Sequence, residues 1–175
     1  MTLTKKQKEY LAALSHSDNI SVLFVCLGNI CRSPAAEGVM KELADEAGQS
    51  SRFTIDSAGT GRWHIGQLPD KRMRVHAQRR GLTLDHICRQ VSADDFDRFD
   101  LIIGMDSANI EDLRDITPSL EAASKIIPMG AFVDMATRYD YIPDPYYEGA
   151  EGFELVLDLL DNGCRNLLNL LTNRA

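Results

Sequence analysis

Short apolar runs alternate with amphipathic stretches along this chain, and the alternation predicts its fold. Ile20-Ser-Val-Leu-Phe-Val-Cys26 is apolar and rich in β-branched residues, the pattern of a buried strand. Gly28 and Asn29 mark a turn, and Pro34 at a first helical position opens a helix over 34–48 that Gly48 ends. A second strand is expected at 52–56, followed by a loop from Ser57 to Trp63. Pro69 and Asp70 open another helix, closed by Gly81. A short Asp-rich helical turn at 92–98 leads into the apolar strand 101–105, and a helix over 107–116 is stopped by Pro118. Residues 125–127 form a fourth, short strand, and Pro143 and Pro145 keep 133–150 irregular. The last helix is the clearest element. Phe153, Val156, Leu157, Leu160, Cys164, Leu167, Leu168 and Leu171 recur at three- and four-residue steps and build one apolar face.

Strands alternating with helices imply an α/β domain: a parallel sheet of four strands with helices on both faces. Residues 20–175 make up this domain. Residues 1–19 precede it as an N-terminal extension. Within it, 5–14 can form a short amphipathic helix with Tyr10, Leu11 and Leu14 on one side. The alternatives for the extension are a helix packed on the domain, a dimer contact and a disordered arm, of which a free, solvated arm is the expected state.

Composition narrows the function. At 175 residues, with 44% hydrophobic and 26% charged, the chain is an ordinary globular protein of one domain. A net charge of -7 lacks the basic footprint of a nucleic-acid binder. No run is long and apolar enough for a signal peptide or a membrane span, so no membrane is expected as partner. Four scattered cysteines do not make a disulfide scaffold, and the four histidines lack zinc-ligand spacing. A reducing cytoplasm, with no metal and no cofactor, is the expectation.

The chemistry concentrates at the end of the first strand, where open parallel sheets bind ligands. There the chain reads Cys26-Leu27-Gly28-Asn29-Ile30-Cys31-Arg32-Ser33-Pro34. A loop of this length can turn its backbone N–H groups inward and, with the following helix N-terminus, cradle an anion. The same field favours a thiolate at Cys26. Arg32 presents a planar fork suited to two oxygens of a phosphoryl group, and Ser33 can donate to the sulfur. Cys-x5-Arg alone arises by chance in about one chain in three of this composition. With Ser next, the figure is about one in fifty.

Val25 to Glu37 resembles the N-terminal signature of the low-molecular-weight protein tyrosine phosphatases. The similarity continues through Asp56-Ser57-Ala-Gly-Thr60, the Trp63 loop, His86-Ile-Cys-Arg-Gln90, Phe99-Asp100 to Met105-Asp106, and Asp144-Pro-Tyr-Tyr147, over about residues 20–172. The resemblance implies a flavodoxin-like partial strand order 2-1-3-4. It implies hydrolysis of protein phosphotyrosine and small aryl phosphates through a phosphocysteine, with phosphotyrosine proteins as partners and a monomer or weak homodimer. It assigns Cys26 as nucleophile, Arg32 as phosphate clamp and Asp144 as general acid, then base. Leu27, Gly28, Asn29, Ile30, Cys31 and Ser33 would complete the phosphate-binding loop. Ser57 and His86 would support that loop, with Glu37 and Asp56 extending the network. Trp63, Tyr146 and Tyr147 would wall the substrate cleft. Cys31 would pair reversibly with Cys26 under oxidation.

Two rivals share this scaffold. An arsenate reductase of this fold needs two further cysteines spaced Cys-x6-Cys, whereas Asp95 stands seven residues after Cys88. Relatives acting on phosphoarginine carry Thr where this chain has Ile30, and a bulky apolar residue there favours an aromatic ester. A third alternative, from a different class, is a phosphopeptide-binding module without turnover. The basic run of Lys71, Arg72, Arg74, Arg79 and Arg80 reads as a solvated helix face.

Overall fold

The computed structural model describes residues 2–173. Four parallel strands, β1 (Ile20–Cys26), β2 (Phe53–Gly59), β3 (Leu101–Gly104) and β4 (Ile126–Pro128), form one sheet in the order β2-β1-β3-β4. Between and beyond them run α1 (Lys5–Leu14), α2 (Arg32–Glu46), α3 (Lys71–Gln78), α4 (Asp95–Arg98), α5 (Ser107–Ile116), α6 (Leu120–Ala123) and α7 (Ala150–Thr172).

The two-residue period of β1 divides the core. Val22, Phe24 and Cys26 face one cluster, with the apolar sides of α2 and α7. Leu23 and Val25 face another, with Phe96 of α4 and Ile110 and Leu113 of α5. Both faces of the sheet are therefore covered, as an all-parallel sheet requires.

Several boundaries differ from expectation. Helix α2 begins at Arg32, so Pro34 is its third residue. The first four amides of a helix have no partner within it, so a missing N–H costs nothing there. Strand β2 runs on to Gly59 because Val25 pairs with Ala58 and Cys26 with Gly59. The small residues 57–59 read as a loop in isolation, but pairing with a central strand makes them strand. The short α6 interrupts the link from α5 to β4.

Residues 5–14 form a docked helix, in place of a solvated arm. Thr4 and Gln7 make a reciprocal capping box, Leu11 is buried and the helix packs on α7. The Tyr10 hydroxyl donates to the Asp100 carbonyl at 2.7 Å. The basic run is exposed as expected at Lys71, Arg72, Arg79 and Arg80, and three of its arginines also find partners. Arg72 pairs with Asp70, Arg74 donates to the Pro69 carbonyl, and Arg80 pairs with Glu154 and Asp158.

Candidate active site

The loop from Cys26 to Ser33 begins where β1 ends and finishes in the first turn of α2. Asn29 sits at its apex in the left-handed region (φ 57°), which Asn tolerates better than most residues. Among the described residues, the amides of Gly28, Asn29, Ile30, Cys31 and Arg32 donate to no protein acceptor. Five unspent donors followed by a helix N-terminus form a concentrated anion site. Gly59 lies directly beneath. A Cβ there would stand 2.8 Å from the Leu27 carbonyl oxygen and 2.9 Å from the Asn29 nitrogen, so only glycine lets β2 approach this closely.

Asn29 is anchored through every polar atom of its side chain. Its amide nitrogen donates to Ser33 Oγ at 2.8 Å and Ser57 Oγ at 3.0 Å. Its Oδ1 accepts from the Arg89 N–H and from His86 Nε2, both at 2.9 Å. Ser57 passes its own proton to Glu37 Oε1 at 2.8 Å, and His86 Nδ1 lies 3.1 Å from the same oxygen. Asp56 joins at 3.4 Å from His86. Glu37, Asp56 and His86 bring three ligand-type atoms within 4.8 Å of one another. Lys41 and Arg89 already neutralise the two carboxylates, so the trio reads as a hydrogen-bonded prop.

Cys26 Sγ lies 3.1 Å from Ser33 Oγ. That hydroxyl already accepts from Asn29, so its proton is free for the sulfur or for the Ala58 carbonyl at 3.3 Å. An ionised sulfur is the stronger acceptor and draws the proton.

Arg32 is almost wholly buried and held from two sides. Nη1 donates to Asp106 Oδ2 at 2.5 Å and to the Ile142 carbonyl at 3.0 Å, while Nη2 lies 3.5 Å from Asp144 Oδ2. Burial works against its charge, yet Cys26, Asp106 and Asp144 together hold it protonated above the ordinary guanidinium range. Asp106 also caps α5 through the Asn109 N–H. The sequence reading gave Asp106 no role, and an Asp before a helix signals only a cap.

Asp144 is half exposed, with its Oδ1 accepting from the Tyr146 N–H at 3.1 Å. A cavity of about 300 Å³ brings Asp144 together with Cys26, Arg32, Trp63, Tyr146 and Tyr147. That volume is at the small end for ligand sites and suits one aromatic ring with its phosphate. Leu27, Gly28, Ile30 and Cys31 also line it, as does His64, which sequence reasoning missed. Trp63 is 67% exposed and Tyr147 94% exposed, so both stand as walls rather than core. Tyr146 packs edge-on against Tyr147 and lies under the Arg72 guanidinium.

The fold and this geometry narrow the comparison with known proteins to one family. Residues 21–175 match the family described as low molecular weight phosphotyrosine protein phosphatase. The chain belongs to that family. It is an enzyme of the phosphotyrosine phosphatase class. The low molecular weight protein-tyrosine-phosphatase YfkJ of Bacillus subtilis is 45% identical over 150 residues, covering 85% of this chain and 94% of that protein. The low molecular weight phosphotyrosine protein phosphatase of Schizosaccharomyces pombe is 42% identical over 145 residues, covering 82% and 92%. A crystal structure of a protein tyrosine phosphatase from Entamoeba histolytica superposes with a TM-score of 0.82 at 43% identity, covering 86% of this chain and 95% of that one. The family match begins after α1, so the docked helix lies outside it. Among the described residues no helix is long and apolar enough to cross a membrane.

Proposed function

We propose that this low molecular weight phosphatase hydrolyses phosphotyrosine in proteins, and small aryl phosphates, through a phosphocysteine intermediate. The carrying observation is that Cys26, Arg32 and Asp144 line one cavity together with a loop whose amides from Gly28 to Arg32 have no protein acceptor among the described residues. The Cys26 thiolate attacks phosphorus and forms a P–S bond as the aryl P–O bond breaks. The departing oxygen keeps the electron pair and takes a proton from Asp144. Water then attacks phosphorus, giving its proton to the Asp144 carboxylate, and sulfur leaves as thiolate, releasing orthophosphate. Arg32 and the loop amides hold the equatorial oxygens, where charge concentrates in both transition states. Ser33 donates to the sulfur and eases its departure.

Ile30 in the cavity lining favours an aromatic ester over a guanidinium. Free Cys31, buried within the same loop, is the thiol assigned to trap an oxidised Cys26 as a reversible disulfide. We assign the protein to the cytoplasm as a monomer or weak homodimer. Phosphotyrosine, phosphoarginine and phosphoserine peptides compared under reducing conditions test the proposal. Turnover of phosphotyrosine, abolished in Cys26→Ser with phosphate binding retained, is the expected result. Preference for phosphoarginine overturns the specificity, and unchanged turnover in Cys26→Ser overturns the mechanism.

A further inference from the structure

Cys88 is buried, and its backbone joins two loops of the site. Its N–H donates to the Gln67 carbonyl and its carbonyl accepts from the Gly66 N–H, both at 2.9 Å. These bonds hold the segment that carries Trp63 and His64. On its other side, Cys88 Sγ donates to the Asn29 carbonyl at 2.7 Å. The neighbouring Arg89 N–H and His86 ring take the Asn29 side chain. The thiol takes the main chain.

That main-chain contact has a directional effect. Every peptide bond in the described chain is trans, and a trans peptide is planar, with its C=O and the next N–H pointing opposite ways. Fixing the Asn29 carbonyl toward Cys88 therefore turns the Ile30 N–H the other way, into the cradle. Ile30 lines the cavity, and its amide donates to no protein acceptor among the described residues. Asn29 is the left-handed residue of the loop, where rotation of this peptide is the obvious escape from strain.

We propose that Cys88 is a positioning residue for phosphate binding: its S–H, by holding the Asn29 carbonyl, aims the Ile30 amide at the phosphoryl oxygens. The proposal rests on the phosphatase reading above. A thiol donates only while protonated, and burial raises that of Cys88 to about 11, so the donor persists at neutral pH. Cysteine here is thus neither a nucleophile nor a relay thiol. Its chemical use is a small donor that fits beneath the loop without bringing a charge.

Three variants test this: Cys88→Ala removes the donor, Cys88→Val keeps bulk without a donor, and Cys88→Ser keeps a donor. Inorganic phosphate affinity and p-nitrophenyl phosphate kinetics are measured well below each melting transition. A misaimed Ile30 amide forfeits one hydrogen bond to a charged ligand, worth about tenfold in affinity. Ala and Val are therefore expected to weaken phosphate binding about tenfold and to raise KM, with Ser within about threefold of wild type. The Ile30 amide proton is expected to move downfield when phosphate binds the wild type, to move less in Ala and Val, and to recover in Ser. The contact survives neither equal impairment of Ser and Ala nor wild-type phosphate affinity in both Ala and Val, even when the wild type is a competent phosphatase. A wild type that neither binds phosphate nor hydrolyses the ester removes the underlying phosphatase reading, and this proposal with it.

Discussion

Arg32 Nη1 lies 2.5 Å from Asp106 Oδ2, and this contact decides where the buried guanidinium can point. The Ile142 carbonyl takes the same nitrogen, leaving the rest of the fork available to the cavity. The clamp role proposed for Arg32 requires it to be held before the ligand arrives, because a misplaced donor loses most of its value in the transition state. Asp106→Asn keeps the α5 cap but removes the charge, and Asp106→Ala removes both. The expected result is a loss in kcat/KM for p-nitrophenyl phosphate of about tenfold for Asn and about a hundredfold for Ala. Steady-state kinetics with phosphate inhibition checks it; an Ala variant with unchanged phosphate affinity would show that Arg32 is oriented by other groups.

Helix α1 is expected to stabilise the domain without touching the chemistry. Leu11 is 2% exposed and packs in the larger of the two cores, and it is absent from the lining of the cavity. Leu11→Ala removes buried apolar volume at a cost of about 2–5 kcal/mol. At this chain length that corresponds to a melting point lower by about 5–15 °C. Calorimetry reads the shift, and kcat/KM at a temperature where both proteins are folded is expected to match wild type.

How much of this was legible before the fold was known differs by residue. The Cys26 to Ser33 loop could be read because strand pattern, glycine and helix-start signals all fall beside it. Three strands were visible as apolar runs, since burial on both faces demands continuous hydrophobicity, whereas the mixed sequence of β2 was legible only as far as residue 56. Asp106 and Cys88 were not legible in the same way. Their roles arise from contacts with Arg32 and Asn29 across 74 and 59 residues, and no local pattern encodes such a pairing. The docking of α1 escaped for a related reason. Its apolar side is narrow, and only the face of α7 that meets it makes the burial worthwhile.

The buried thiols set an alkaline limit. Burial raises Cys88 to about 11 and pushes Cys31 and Cys164 higher still. A thiol whose folded value exceeds its unfolded one, about 8.5, favours the fold while protonated. Its contribution is whole below pH 8.5 and drains away as pH climbs toward 11. Urea midpoints are expected to fall as pH rises beyond about 8.5. Iodoacetamide at pH 7.5 is expected to modify Cys26 alone, because burial keeps Cys31, Cys88 and Cys164 protonated at that pH, and phosphate is expected to block it. The other three cysteines label after unfolding. Rapid loss of all four thiols in the folded protein would contradict this picture.

Asp144 offers the sharpest separation of chemistry from binding. Its carboxyl is half exposed at the cavity mouth, held by the Tyr146 N–H and set 3.5 Å from Arg32 Nη2. An acid acting on the departing oxygen matters in proportion to how poorly that oxygen leaves. Asp144→Ala is therefore expected to slow phenyl phosphate about a hundredfold or more, and p-nitrophenyl phosphate several-fold less than that. A plot of log kcat against leaving-group pKa, shallow in wild type, steepens in the variant. The Arg32 contact supplies a control. If Asp144 served only to orient the guanidinium, both esters would slow equally and phosphate affinity would drop in parallel. Retained phosphate binding together with a steepened plot assigns Asp144 to proton transfer, whereas equal slowing removes it from that role.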